Sequence, residues 1–345
     1  MIGLSDDLPV VALELARVFA AGGRLIVAAP GRFDHAQHVA VEFVHPVITG
    51  ATSLPAIAVA PDQILANVRA GDAVIILDNP DHPIEADFAD VAHVVVVDAS
   101  LSGSALVRWY HVLWELVQLG LEHPGLTGGS ATTGGDSTSF LYPFLDAAES
   151  SDTELLESSA SSWVAKQLES EELCAQTLAA NHDALRDASA KISRCADSGG
   201  TTYAIGNGGS STDAARFVRL LQAREVSAHS LASDTAILTA LANDLGVDKI
   251  FARQVEAMVR PGDALVVFST SGASANLLAA LDVAARQDVS VIICAGYGGG
   301  PIGDHPAVDH ALIVDSTSVH RIQEAQGVLI DQVCLELNAR MEYSS

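Results

Sequence analysis

The sequence predicts an α/β protein made of two doubly wound, parallel-sheet domains in tandem, each a three-layer α-β-α arrangement. Three observations lead to this prediction. Short β-branched apolar runs alternate with amphipathic helical segments, the same order of elements occurs twice, and a Gly/Ser/Thr-rich stretch separates the two copies. At 345 residues the chain is long enough for two ordinary domains.

Both copies contain a helix, a Gly-Gly pair and a strand, and later a Gly-Asp pair and another strand. The Gly-Gly pairs are Gly22-Gly23 and Gly199-Gly200, and the Gly-Asp pairs are Gly71-Asp72 and Gly262-Asp263. In the first copy the predicted helices are 9–20, 34–44 and 105–121, and the predicted strands are 24–28, 71–77 and 94–97. In the second copy the predicted helices are 152–196, 213–223, 238–252 and 321–341, and the predicted strands are 201–205, 262–268 and 289–294. The helical region 238–252 accounts for the greater length of the second copy.

The predicted domain boundaries follow from composition. Residues 124–151 include a Gly/Ser/Thr-rich run that is typical of a flexible linker. We therefore expect one domain over 1–123, a linker over 124–151 and a second domain over 152–345.

Charge and hydropathy limit the classes of partner. The formal net charge is −25, with 18 basic residues against 43 acidic ones, which argues against nucleic acid and anionic membranes as partners. No apolar run approaches the length of a membrane span, and the N-terminus lacks the basic start of a secretory signal. The four cysteines have no Cys-x-x-Cys spacing, which indicates reduced, packed thiols. We expect a cytoplasmic protein.

Two segments of the second copy are typical of a phosphate site. Gly206–Asp213 and Ser269–Asn276 each follow a predicted strand and open a helix, where ligands bind in α/β sheets. Free N–H groups at helix N-termini, together with serine and threonine hydroxyls, bind a phosphomonoester without Lys or Arg. Helix N-capping alone would explain one hydroxyl but not the cluster.

These motifs carry a resemblance to a known family. The Gly-Asn-Gly-Gly-Ser loop, Asn243-Asp244, the Ser-Thr-Ser-Gly-x-Ser loop and Arg321-Ile322-Gln323-Glu324 are similar to motifs of phosphoheptose isomerases, a family of sugar-isomerase (SIS) domains. The resemblance covers about residues 152–341. It implies a phosphorylated sugar as ligand and no nucleotide cofactor. The substrate-binding positions that it implies are Asn207, Gly208, Ser210, Asp244, Ser269, Thr270, Ser271, Ser274 and Gln323.

The second copy departs from the family where the chemistry takes place. The family interconverts ketose and aldose through an enediol, with a glutamate base, a histidine, and often zinc bound by His, Glu, Gln and His. Laid on the family pattern, those His, Glu and second His positions read Arg216, Leu220 and Asp331. Only Gln323 is kept, and a leucine cannot move a proton. The second copy alone is therefore expected to be a poor isomerase.

The first copy has the opposite pattern. Its phosphate loops are lost, whereas His38 and Glu42 fall on the missing His and Glu positions, and His111 can be aligned with the second His. We therefore expect a composite site with Glu42 and His111 as catalytic groups, and His38, Glu42, His111 and Gln323 as ligands of a possible zinc ion. The alternatives are a surface pair at His38 and Glu42, and a core histidine at His111.

Two classes of function follow from this pattern. The first is isomerisation of sedoheptulose 7-phosphate, or a related sugar phosphate, to an aldoheptose 7-phosphate at a site that both domains form. The second is a non-catalytic phosphosugar-binding regulator, or a scaffold for a partner protein of the replication-initiator type. A tandem aminosugar isomerase ranks below both. The resemblance also implies a homodimer whose four domains form a pseudo-tetramer.

Overall fold

The computed structural model describes residues 8–46, 51–78, 93–98, 103–122 and 152–344, and the predicted linker lies outside these ranges. The chain divides into two compact units, Met1–Glu169 and Ser170–Ser345. Each unit holds one parallel sheet, which confirms the predicted fold class. In this division the helix Asp152–Ala180 contributes to both units.

The first unit has a four-stranded sheet of order β2-β1-β3-β4, all parallel. Its strands are β1 (Leu25–Ala28), β2 (Ala56–Ala58), β3 (Ala73–Asp78) and β4 (His93–Asp98). Its helices are α1 (Leu8–Ala20), α2 (Phe33–Val44), α3 (Ile64–Asn67) and α4 (Gly103–Glu122), followed by α5 (Asp152–Ala180). Alternate strand residues enter two cores. Leu25 and Val27 pack with α1, α2 and α4 on one face, and Ile26 and Ala28 pack with Ile64 on the other.

The second unit has a five-stranded parallel sheet of order β6-β5-β7-β8-β9. Its strands are β5 (Thr202–Ile205), β6 (Ala228–Ser230), β7 (Ala264–Ser269), β8 (Ser290–Ala295) and β9 (His310–Ile313). Its helices are α6 (His182–Asp197), α7 (Gly209–Gln222), α8 (Thr235–Leu245), α9 (Ile250–Met258), α10 (Ala275–Ala284), α11 (Gly300–Gly303) and α12 (Val319–Ser344). Both sheet faces carry an apolar core, one against α6, α7 and α12 and the other against α9 and α10.

The repeated Gly-Asp pairs form the same carboxylate clamp in both units. Asp72 accepts hydrogen bonds from the backbone N–H groups of Arg24 (3.0 Å) and Arg69 (2.9 Å). Asp263 accepts from the backbone N–H groups of Thr201 (2.8 Å) and Arg260 (2.8 Å). In each unit the clamp joins the start of the first strand to the turn before the third. The shared Gly-Asp sequence therefore corresponds to a shared contact, not only to a shared composition.

The Asp72 clamp makes stability depend on pH. Burial alone would raise the pKa of Asp72, but the Arg24 side chain and the Arg24 and Arg69 N–H groups outweigh it and lower that pKa. A carboxyl whose folded pKa is depressed stabilises the fold above its unfolded pKa of about 3.9, and that contribution is lost as pH falls through the folded pKa. We expect Asp72→Asn to lower the free energy of unfolding by about 1–3 kcal/mol at neutral pH. The difference in the free energy of unfolding between the wild type and Asp72→Asn should narrow below about pH 4.

Urea unfolding at neutral pH and at about pH 3.5 measures this effect. Asp62→Asn is the matched control, because Asp62 is an exposed aspartate of the same unit. An Asp72→Asn deficit of the same size at both pH values would contradict the expectation.

The cysteines and the apolar character of the helices bear on the predictions made from composition. All four cysteines are free, and Cys195, Cys294 and Cys334 are buried. Burial raises the pKa of Cys334 to about 11, so its thiol stays protonated at neutral pH. Among the described residues, no helix has both the length and the apolar character needed to cross a bilayer.

Candidate functional site

The strand order of the second unit reverses between β5 and β7. In an open α/β sheet this reversal leaves a crevice at the carboxyl ends of the two strands, where ligands bind. The two loops that the sequence singled out follow β5 and β7 directly. The fold thus brings both predicted phosphate loops to one crevice.

The first loop leads into α7. This helix begins at Gly209, four residues before the predicted start at Asp213, so Ser210 lies in its first turn and is buried. Gly208 has φ +52° and ψ −124°, a conformation open to glycine because it has no Cβ. The loop thereby presents the N-terminus of α7 to the crevice.

The second loop holds the remaining predicted hydroxyls. Ser269 ends β7, and its Oγ accepts a hydrogen bond from the Gly272 N–H group at 3.0 Å. Ser271 is exposed, and its Oγ accepts from the Ala273 N–H group at 3.4 Å. Ser274 occupies the N-cap position of α10, but its side chain makes no capping hydrogen bond. The Ser274 hydroxyl is therefore not used as a helix cap.

A pair of side-chain amides joins the two loops. The Nδ2 atom of Asn207 donates to Oδ1 of Asn276 at 2.9 Å, and Nδ2 of Asn276 donates to Oδ1 of Asn207 at 2.8 Å. This reciprocal pair fixes the spacing of the loops across the crevice. No local pattern predicts this pair, because the two residues are 69 positions apart.

Two other residues predicted to bind the sugar phosphate, Asp244 and Gln323, lie outside the two loops. Asp244 lies near the end of α8, a helix with no buried residue, and its carboxylate accepts from the Asn243 side chain at 2.7 Å. Gln323 is buried near the start of α12. Their roles, like those of the serine and threonine hydroxyls, stay predictions.

Gly272 provides a sensitive test of the second loop. It has φ +63°, and a Cβ atom there would lie 2.2 Å from the backbone oxygen of Gly299. A side chain must therefore displace either the loop or the backbone beside it. We expect Gly272→Val to raise the Kd for a sugar phosphate by about 100-fold, since small displacements of a binding group have large costs.

Calorimetric titration with sedoheptulose 7-phosphate measures that Kd. Gly246→Val is the control, because Gly246 also has positive φ but nothing lies within 4 Å of its Cβ position. An unchanged Kd in Gly272→Val would show that this loop does not bind the phosphate.

Two of the family's three missing catalytic positions in the second unit are filled by an ion pair between a buried arginine and a half-buried aspartate. Nη2 of Arg216 donates to Oδ1 of Asp331, and Nη1 donates to the backbone oxygen of Gly327 at 3.2 Å. The Arg216 side chain is only 4% exposed. Two positions that carry histidine in the family thus hold a cation and an anion that neutralise each other. A metal bound between them would displace this pair.

The first unit collects the residues that the second unit lacks. Nε2 of His38 lies 3.5 Å from Oε1 of Glu42, one turn further along α2, and 3.5 Å from Nε2 of His111 on α4. All three side chains are buried, and each offers a ligand atom within 4.8 Å of the others. The surface-pair alternative for His38 and Glu42 is therefore wrong. His111 is a core residue, but it belongs to this cluster.

Tyr110 orients the cluster, and sequence reasoning missed it. Its hydroxyl lies 2.9 Å from Nδ1 of His38 and is buried. When Nδ1 carries the proton and donates to the tyrosine oxygen, Nε2 presents its lone pair to Glu42 and His111. A hydrogen bond between residues 72 positions apart leaves no local pattern in the sequence.

The donor set of His38, Glu42 and His111 fits a metal ion. Two imidazole nitrogens and one carboxylate are a known protein ligand set for zinc, and such sites keep a further position for another ligand. The burial of all three groups and the hydrogen bond from outside the cluster to His38 are typical of such a centre. The cluster can hold a metal ion.

A parallel sheet with two serine-bearing loops at its reversal point is the arrangement of a sugar-isomerase (SIS) domain, and the SIS domain family model matches residues 167–296. Phosphoheptose isomerase of Methylibium petroleiphilum is 38% identical over 157 residues, which are 44% of this chain and 78% of that protein. The corresponding Bordetella avium protein is 37% identical over 174 residues, 48% of this chain and 88% of its own. The chain belongs to the phosphoheptose isomerase family of SIS-domain proteins.

A solved structure extends the likeness in fold to the first unit as well. The C-terminal domain of glucosamine-fructose-6-phosphate aminotransferase from Francisella tularensis covers 96% of this chain and 92% of its own, with a TM-score of 0.56. At 8% identity this likeness shows the fold alone.

Proposed function

We propose that the protein isomerises sedoheptulose 7-phosphate, or a closely related sugar phosphate, to an aldoheptose 7-phosphate. The family relatives named above support a sugar-phosphate isomerase. The observation that carries the proposal is the cluster of His38, Glu42 and His111 within 4.8 Å, in a chain whose other unit keeps both phosphate loops. The second unit lacks the corresponding His, Glu and second His at the family positions.

In the proposed mechanism the second unit binds the phosphate, and the first unit moves the protons. The N-termini of α7 and α10 hold the phosphate together with the hydroxyls of Ser210, Ser269, Ser271 and Ser274. The Glu42 carboxylate takes a proton from C1 of the ketose and returns it to C2 of the enediol. His111, where it is not a metal ligand, exchanges the proton between the two sugar oxygens. Zinc bound by His38, Glu42, His111 and Gln323 would supply charge stabilisation for the enediolate oxygen.

The proposal requires both units at one site. The second unit has no base at Leu220, and the Arg216–Asp331 pair takes the place of the family histidines. The loop after β1 in the first unit has Pro30 and Gly31 instead of a serine cluster. We propose domains over 1–123 and 152–345 joined by the 124–151 linker, in a cytoplasmic homodimer of four domains.

An isomerase assay with sedoheptulose 7-phosphate tests the proposal. The purified protein is stripped with a chelator and assayed with and without added zinc, with fructose 6-phosphate and an aminosugar 6-phosphate as comparison substrates. Zinc-dependent formation of the aldoheptose product is the expected result. Turnover of the aminosugar phosphate alone would identify an aminosugar phosphate, and not a heptose phosphate, as the substrate.

The Arg216–Asp331 pair favours a second candidate, a phosphosugar-binding regulator. Calorimetry on the same samples distinguishes it from the enzyme. Binding of sedoheptulose 7-phosphate without turnover, weakened by Ser271→Ala, would overturn the isomerase proposal in favour of the regulator. Absence of both binding and turnover would overturn both candidates.

A further inference from the structure

One face of α12 is directed at the carboxyl ends of β7 and β8. Ile322 and Gln326 lie one turn apart on this helix, so both project from the same side. The Ile322 side chain contacts Gly296, where a Cβ atom would lie 2.4 Å from its Cδ1. Gln326 is fully buried. The helix is thus in direct contact with the strand ends that bear the second phosphate loop.

The Gln326 amide links the last residue of β7 to the next-to-last residue of β8. Its Nε2 atom donates to the backbone oxygen of Ser269 at 3.2 Å and to that of Cys294 at 2.9 Å. The Gln326 Oε1 atom is buried and has no hydrogen-bond partner among the residues that the structure describes. The side chain therefore acts here through its two N–H groups. Each of them satisfies a carbonyl where the ladder between β7 and β8 ends at Ser269 and Ala295.

The position of Ser269 controls the shape of the loop that follows it. Its carbonyl oxygen is held by Gln326 and by the Gly296 N–H group at 3.1 Å. Its hydroxyl oxygen accepts the Gly272 N–H group, which closes the turn from Ser269 to Gly272. A shift of the Ser269 carbonyl would therefore move the hydroxyl and the turn together.

We infer that Gln326 is a positioning residue for phosphate binding, which it supports through Ser269 without touching the ligand. This inference rests on the phosphate-loop assignment of the proposed function. An arginine or lysine side chain in contact with the ligand would bind the phosphate through its charge. Here the loop relies on correctly placed N–H and hydroxyl groups, so the anchoring of its first residue determines affinity.

Gln254 offers a matched control in the same unit. It is buried, and its Nε2 atom likewise donates to two backbone oxygens, those of Leu231 (2.9 Å) and Ile250 (3.0 Å). Its hydrogen bonds join α9 to the residue after β6 and reach neither phosphate loop. Gln326→Met and Gln254→Met therefore remove the same kind of interaction and keep a side chain of similar length.

The test has two readouts on the full chain. The first is the Kd for sedoheptulose 7-phosphate and for inorganic phosphate, measured calorimetrically beside the melting temperature. We expect Gln326→Met to raise both Kd values by about 10-fold or more. Gln254→Met should lower the melting temperature by about as much as Gln326→Met does. It should leave both Kd values within about two-fold of the wild-type values. Equal Kd values in the two variants would overturn the inference.

The second readout needs no ligand. Hydrogen exchange at the Gly272 amide should become about 10-fold faster in Gln326→Met and stay unchanged in Gln254→Met. Unchanged exchange at Gly272 in Gln326→Met would overturn the positioning role even if the protein binds sugar phosphates well. Suppose that exchange at Gly272 is faster in Gln326→Met but that the wild-type protein binds no sugar phosphate. That result would support the positioning role of Gln326 in the loop and would count against the proposed function.

Discussion

Isomerase turnover is expected to fall by at least about 100-fold when Glu42 is replaced by glutamine. Glutamine has nearly the same shape as glutamate and fits the same buried position, but its amide cannot accept and return a proton. Affinity for the sugar phosphate should change little, because the predicted phosphate ligands belong to the second unit. The expected signature is a fall in kcat at a nearly constant Kd.

Glu115→Gln is the matched control for that variant. Glu115 is also a buried glutamate of the first unit, but its Oε2 atom is paired with Nζ of Lys166 at 2.5 Å and it lies outside the cluster of His38, Glu42 and His111. Its substitution should reduce stability without the loss of kcat. Full turnover in Glu42→Gln would show that Glu42 takes no part in the chemistry and would contradict a catalytic role for the first unit. Equal losses of turnover in Glu42→Gln and Glu115→Gln would indicate a general structural effect.

Loss of bound metal is the second large effect that we expect. Replacing either His38 or His111 by alanine should reduce tightly bound zinc from about one ion per chain to nearly none, because losing one donor from a set of three or four weakens zinc binding strongly. Elemental analysis after dialysis measures the content, and the visible spectrum of the cobalt-substituted protein reports the coordination. Tyr110→Phe should have a smaller effect, weakening zinc by about 10-fold, because it removes only the outer hydrogen bond to His38.

His305→Ala provides a control for this measurement. His305 is paired with Asp282 in the second unit and lies outside the cluster of His38, Glu42 and His111. Its metal content should equal that of the wild type. Zinc retained at one ion per chain in both His38→Ala and His111→Ala would place the metal elsewhere and leave the cluster as a buried polar network.

The parts of the site that the sequence predicted are those with a local pattern. The glycine- and serine-rich loops after β5 and β7 are recognisable because a strand, a turn and a helix follow one another within about ten residues. His38 and Glu42 are recognisable because a four-residue spacing puts both on one helix face. The placement of His111 beside them depended on the family pattern of the closing helix.

The parts that could not be predicted depend on contacts between distant residues. The Arg216–Asp331 pair joins residues 115 positions apart, and the Gln326 amide reaches Ser269 across 57 positions. Neither contact changes the hydrophobic period of the helix that carries it. The sequence does not predict the strands β2, β6 and β9, which have only three or four residues and, unlike the equally short β1 and β5, do not follow a Gly-Gly pair.

If the two copies share one site as proposed, the Arg216–Asp331 pair also makes that division of roles costly to reverse by single substitutions. Restoring histidine at position 216 alone would leave the Asp331 carboxylate without its guanidinium partner, and restoring histidine at 331 alone would leave a buried arginine without its anion. Each single step back passes through a less stable protein that still lacks a base at Leu220. Under the proposed function, the second copy would need changes at Arg216, Leu220 and Asp331 together to carry the family's His, Glu and His. The ion pair therefore couples two of these three positions, so that neither can change alone without a cost in stability.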